Sequence, residues 1–330
     1  MLQFRADNID QLDLALDQLA VGDRNFDRFA IMLIDNVAEL TLHQLAADKA
    51  REDQAWKRQD VTESEQRLLA KALGQNFSDK AKFALGTGLI DEPTCNSLRY
   101  LHSFRNTAYH QGLRHESVLH SLAVFYFRIV CTILQAQSLT SWSWSTTDKI
   151  SHRAQKYLGD PNSAKKAEIF VAAYQRLDEV AASIGENLVE DLADDMSDTI
   201  EHMDEMIDFL ANDSPEPRTR DAVVIESQAW SIAFTEEGRE FAKQNGYKEG
   251  SVAGYVDWIA ERYPWTTKAD PIAAWRKRQK ALAGETNYHN ALARYCEFMR
   301  QTRSFRSTID DSAASLDMHI QMQIDEMRGK

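Results

Sequence analysis

Proline is scarce in this chain: there are six among 330 residues and none before Pro93. Nothing before that point therefore forces a helix to break. Cysteine is scarcer. Cys95, Cys131 and Cys296 are far apart and have no metal-type spacing. That excludes a disulfide framework and a thiolate metal site, and it fits reduced thiols in a cytoplasmic protein. No Gly-rich loop is followed by Lys-Ser/Thr, so nothing points to an NTPase. Long apolar runs are missing too. The longest, Leu122 to Leu134, contains Arg128 and falls short of the ~20 residues that span a bilayer. It reads as a buried helix, and no membrane partner is expected. The opening MLQFRADNID holds acids and no apolar stretch, so no signal peptide is expected.

What is present is an ordinary globular composition, 43% apolar and 27% charged, in a chain long enough for one large or two medium domains. The net charge of −13 excludes a broad, non-specific grip on nucleic acid, which needs many cations. The average conceals an asymmetry. Between Pro93 and Trp144 lie Arg99, Arg105, Arg114 and Arg128, four histidines and a single acid, Glu116. Between Asp178 and Pro217 lie fourteen acids and no Lys or Arg. One basic island beside an acidic belt can hold an anion in one place and repel it elsewhere.

Apolar residues recur with helical spacing throughout and nowhere alternate for long, so the expected fold class is all-α. Ile9, Leu12, Leu16 and Leu19 share one face. The stretch from Phe26 to Ala46 is apolar almost all round (Phe26, Phe29, Leu33, Val37, Leu40), which predicts a central helix. Thr62 and Glu65 read as a capping box, with Gly74 as the following stop. Further helices are expected over about 78–85, 94–111 and 117–137. A connector with Trp142 and Trp144 marks a boundary, giving domains 1–147 and 148–330. In the second, 164–184 and 186–210 read as a hairpin around Gly185, inside the acidic stretch 178–217. Breaks are expected at Gly246, Gly250–Gly254, Pro264 and Pro271. A last helix over 309–328 carries Ile309, Ala313, Leu316, Ile320, Ile324 and Met327 on one stripe.

The segment with chemical promise is Arg105-Asn106-Thr107-Ala108-Tyr109-His110. An Arg and a His with four to six residues between them prove little alone: with 23 Arg and nine His, chance supplies about two such pairs. There are two, Arg105/His110 and Arg114/His120, and the second is read as the chance match. The context of the first is more specific. It runs KFALGTGLIDEPTCNSLRYLHSFRNTAYHQG, with Phe83, Gly88-Leu89-Ile90, Leu98 and Leu101 ahead of Arg105-Asn106, then His110 and Gly112. Over about residues 8–138 the chain resembles the HEPN superfamily, whose helical domains carry an Arg-polar-x-x-x-His motif of this form.

That resemblance implies a HEPN-like helical bundle over 1–147 and a metal-independent endoribonuclease acting as a homodimer. The role implied is that of a prokaryotic toxin of toxin–antitoxin or abortive-infection type, with RNA as substrate and an inhibitory protein as a further partner. Arg105 and His110 would be catalytic, with His102, Asn106 and Tyr109 supporting them. Arg99, Arg114 and His115 would contact RNA. No metal or cofactor is expected. The alternative is a non-catalytic HEPN-like module that binds a nucleotide or a protein. Some relatives are controlled by nucleotidylation of a Tyr two residues after the His; here that position is Gly112.

The residue types suit the chemistry independently. Attack of a ribose 2′-OH on its phosphate needs a base, an acid and a cation. Histidine can do either proton job near neutral pH. Arginine stays charged and forks onto phosphate oxygens. One Arg and one His make half a site, and a two-fold dimer would bring a second copy. On an ideal helix Arg105 and His110 lie about 140° apart, so they converge only at a distortion or an interface. Asn106 and His110 share a face. The plainer reading is that these residues cap carbonyls at a helix end and meet solvent. Asp35, Glu39 and His43, one turn apart, could ligate a metal. They read better as a polar seam facing the Arg105/His110 region. The acidic belt reads as a solvated helix face, or as a restraint that competes with RNA.

Overall fold

The computed structural model describes residues 2–56, 62–110, 116–137, 149–159, 167–185, 187–214, 216–248 and 250–329, with backbone alone at 108–110, 116 and 167. Among the described residues there are fourteen helices and no strand, so the chain is all-α as expected. It divides into two compact units, Met1–Leu192 with Glu285–Ala293, and Ala193–Gly284 with Arg294–Lys330.

In the first unit the helices are α1 (Leu2–Leu19), α2 (Arg24–Ala55), α3 (Glu63–Ala72), α4 (Phe77–Gly86), α5 (Glu92–His110), α6 (Glu116–Ala136), α7 (His152–Leu158) and α8 (Ala167–Ile184). Local signals set several ends. Asp23 caps α2 by accepting from Asn25 N. The Thr62–Glu65 capping box forms in full at α3. Asp91 Oδ1 accepts from Thr94 N at 2.9 Å, with Pro93 in the first turn of α5, where its missing N–H costs nothing.

α1 packs on α2, α2 on α6, α6 on α8 and α8 back on α1, closing a ring of four helices. α6 supplies most of its centre: Leu122, Ala123, Val124, Tyr126 and Phe127 are wholly buried. Its stretch Ser117–Ala136 is long and apolar enough to cross a bilayer, and 78% of it is buried inside the fold. α3, α4 and α5 cover the outer side of α2, and α7 ties α1 to α8. Asp13, 3% exposed, makes that tie with Arg153 (2.8 Å), Lys156 (2.9 Å) and Tyr157 (2.8 Å).

Two expectations are revised by this packing. The compact unit does not end at 147. α8 buries Phe170, Tyr174 and Leu177 in the ring, so a domain cut at 147/148 would strip one side of α6. α2 is central, yet not apolar all round. Phe26 (39%), Phe29 (55%) and Leu40 (39%) are exposed, while Ile31, Ile34, Val37 and Leu42 face the core. The Trp142/Trp144 connector lies outside the described residues.

The second unit takes most of α9 (Leu188–Asn212), then α10 (Arg220–Ala233), α11 (Glu236–Gln244), α12 (Val252–Arg262), α13 (Ile272–Ala283) and the C-terminal part of α14 (Tyr288–Met327). α14 begins well before the helix expected at 309 and runs for 40 residues. Gly185, at φ 85°, lies between α8 and α9, a backbone conformation that suits glycine. On α9 the stripe Met196, Ile200, Met203 and Ile207 is buried, and the acids occupy the other face. Several are neutralised within the unit: Asp204 and Asp208 by Arg220, and Asp204 also by Arg276.

Candidate functional site

Asp35 on α2 is the organising group of the predicted region. It is fully buried between Ile31, Ile34 and Ala38, where an uncompensated carboxylate would be costly. Two hydrogen-bonding side chains and one cation meet it. His102 Nδ1 on α5 lies 2.9 Å from Oδ1. Tyr126 on α6 donates its hydroxyl to the same oxygen at 2.8 Å. Arg105 Nε on α5 stands 3.3 Å from Oδ2. One carboxylate therefore holds α2, α5 and α6 at a common point. Burial first, then the negative charge of Asp35, raises Tyr126 well above the usual phenol range, so this residue stays a neutral donor.

The same contacts orient the predicted side chains. His102 is stacked on Phe77, with ring centroids 4.1 Å apart and planes 4° from parallel. With Nδ1 committed to Asp35, the opposite ring nitrogen is the one left for chemistry. Arg105 is 31% exposed. Its Nη1 donates to Asn106 Oδ1 at 2.9 Å, so Asn106 holds the guanidinium. Arg99 is exposed, near Ser78 Oγ and Asn96 Oδ1 at 3.4 Å each. Arg99, His102 and Asn106 follow one stripe of α5.

The backbone of α5 is helical through His110. The side chains of Tyr109 and His110 lie outside the described residues, as do Gly112, Arg114 and His115 altogether. The structure thus joins His102, Arg105 and Asn106 in one cluster. Of Asp35, Glu39 and His43, the seam reading describes the first: Asp35 does face Arg105. Glu39 accepts from Lys80 Nζ at 2.6 Å, and its charge adds to that of Asp35 in raising Tyr126. Among the described residues, no group of three or more His, Cys, Asp or Glu is placed to hold a metal ion.

Sequence reasoning missed Tyr126 and discounted His120. His120 Nδ1 on α6 lies 2.8 Å from Oδ1 of Asp27 on α2, a carboxylate 4% exposed. That hydrogen bond outweighs burial and, with the charges of Asp27 and Asp191, raises the imidazole above its ordinary range. The visible signal was an acid inside an otherwise apolar helix face, which needs a partner.

A cavity of about 620 Å³ opens elsewhere in this unit. Ile90, Phe125, Arg128, Ile133, Tyr288 and His289 are among its walls. It contains none of the predicted site residues. His289 Nδ1 is 2.8 Å from Ser97 Oγ, and burial lowers its basicity.

Comparison with known proteins adds no family: no family model, no curated protein and no solved structure matches this chain.

Proposed function

We propose that the chain is a metal-independent endoribonuclease of HEPN type, with Arg105 as the phosphate-binding cation and His110 as the proton-transfer group. The observation that carries the reading is the restraint on Arg105. A guanidinium that remains 31% exposed is fixed by Asp35 and Asn106 on the helix that continues to His110. Pre-positioned charge of this kind stabilises a crowded phosphorane without reorganisation at the moment of reaction.

In this reading the 2′-oxygen loses its proton to a base and attacks phosphorus. The bond to the 5′-oxygen breaks, and an acid protonates the departing oxygen. The product ends in a 2′,3′-cyclic phosphate. Arg105 bears the charge that grows on the non-bridging oxygens. A second copy of the chain supplies the other half of the acid–base pair across a two-fold axis. His102, Asn106 and Tyr109 support the pair, while Arg99, Arg114 and His115 form the cationic rim. By resemblance, the biological role is that of a prokaryotic toxin or abortive-infection protein held in check by a partner.

The test is RNA cleavage in chelator by the wild type, Arg105→Ala and His110→Ala, with folding checked by circular dichroism and size by chromatography. The expected result is loss of cleavage in both variants and a dimer in solution. Equal residual cutting in all three would end the proposal.

One observation favours a second reading. Arg105 also compensates a wholly buried carboxylate, which is a structural task. A non-catalytic module that binds a nucleotide or a protein would use it so. In that case Arg105→Ala lowers stability, and RNA is not cut by any form.

A further inference from the structure

α2 presents two buried carboxylates, Asp27 and Asp35, and each holds an imidazole from a different helix. Asp35 takes Nδ1 of His102 on α5; Asp27 takes Nδ1 of His120 on α6. The two acids are eight residues apart, or about 12 Å along the axis. A histidine serving only to fill a core would be covered. His120 instead has a side chain 32% exposed above an acid whose side chain is 6% exposed. A buried carboxylate that fixes Nδ1 leaves Nε2 as an aimed donor, the arrangement that orients imidazoles for substrate contact.

Its place in the chain is equally specific. His120 lies four residues into α6, and His110 ends α5. His110 and Glu116 are six steps apart along the chain, which spans at most about 22 Å. His120 therefore belongs to the same end of the α5–α6 pair as the motif.

We propose that His120, aimed by Asp27, is a phosphate-contacting subsite for single-stranded RNA beside the Arg105 site, binding a phosphate next to the scissile one. This rests on the ribonuclease reading above. The subsite suits a chain of net charge −13, which must place its few cations along the strand rather than rely on a general positive field. The groups facing the imidazole are Asp27 on α2, flanked in sequence by Arg24 and Arg28, and Asp191 on α9, which accepts from Ser121. Asp27 keeps the imidazole charged at a pH where a free histidine has begun to lose its proton. Strand binding therefore weakens as pH rises through the raised value.

The experiment uses the full chain and a fluorescein-labelled 2′-O-methyl oligouridylate of about twelve nucleotides, which cannot be cut and can be followed by anisotropy. At about pH 6, His120→Gln is expected to weaken binding about tenfold, the loss of one charged hydrogen bond, and to flatten the decline seen in wild type at higher pH. Asp27→Asn is expected to retain binding at low pH and move the decline downward, which a merely structural role would not do. In cleavage of the unmodified strand, the His120→Gln effect falls on KM. If wild type binds and cuts but His120→Gln binds equally well, or if its loss falls on kcat alone, this inference fails and the ribonuclease reading stands. If wild type neither binds nor cuts RNA, both fail.

Discussion

Asp35→Asn is the substitution that probes the three-helix junction most directly. The side chain has no exposure and accepts from His102 at 2.9 Å and Tyr126 at 2.8 Å, with Arg105 at 3.3 Å. Asparagine keeps the shape but replaces one acceptor oxygen by an NH2 donor. A donor then faces a donor, and Arg105 loses its counter-charge. Breaking a buried charged contact by removing one partner costs about 3–5 kcal/mol. Asparagine retains one acceptor, and Arg105 is partly solvated, so the expected loss is about 2–4 kcal/mol. Asp35→Ala should reach about 3–5 kcal/mol. Tyr126→Phe removes one donor and leaves the carboxylate two partners, so about 1–2 kcal/mol is expected. The assay is amide hydrogen exchange resolved by peptide, because a two-unit chain need not melt in one step. Peptides of α2, α5 and α6 should exchange faster, in the order Ala, Asn, Phe, while α10–α12 keep wild-type rates. Asp35→Asn within about 0.5 kcal/mol of wild type would refute the claim that this carboxylate ties the helices together.

The His120 value is raised in the folded chain, so its contribution to stability is full below the unfolded value near 6.5 and is lost as pH rises through the folded one. Urea midpoints measured across that window should fall with pH in wild type and fall less in Asp27→Asn. Asp13 is lowered: burial would raise it, but hydrogen bonds from Lys156, Tyr157 and Arg153 prevail. The tie of α7 should therefore weaken only as pH drops below 3.8 through the folded value, and Asp13→Asn should remove that acid limb from exchange of α7 peptides. A Cβ on Gly238 would lie 2.2 Å from the Ile232 carbonyl oxygen and 2.9 Å from its carbon. Gly238→Ala should thus cost about 1–3 kcal/mol, read by tryptophan fluorescence during denaturation; an unchanged midpoint would refute the close approach of Gly238 to Ile232. Arg220 serves Asp204, Asp208 and Asp270 together. Arg220→Ala should cost about 1–3 kcal/mol, more at low salt, and equal loss at all salt concentrations would contradict the electrostatic account.

Much of the local structure was legible because it depends on short-range chemistry. The Thr62–Glu65 box, the helix break at Gly185 and the buried stripe of α9 follow from residues a few positions apart, and all are found. The cluster on α5 was legible for a related reason: the motif that carries the resemblance places His102, Arg105 and Asn106 on one predicted helix. Asp35 and Tyr126 carried a fainter signal. Each is a polar group in a helix whose neighbours are apolar, so each needed a buried partner, but sequence could not say that they needed each other.

Composition and periodicity determined the helical class, capped ends such as that of α3 and the inward face of α9, since backbone hydrogen bonding and side-chain period act within a segment. The tertiary structure decided that α8 closes the ring with α6, that Asp35 gathers two hydrogen bonds and an ion pair from two other helices, and that His120 rests on Asp27. Those outcomes depend on which helices become neighbours. Burying a carboxylate is tolerable only when donors distant in sequence arrive at the same few ångströms, and that is a property of packing, which no single stretch of the chain encodes.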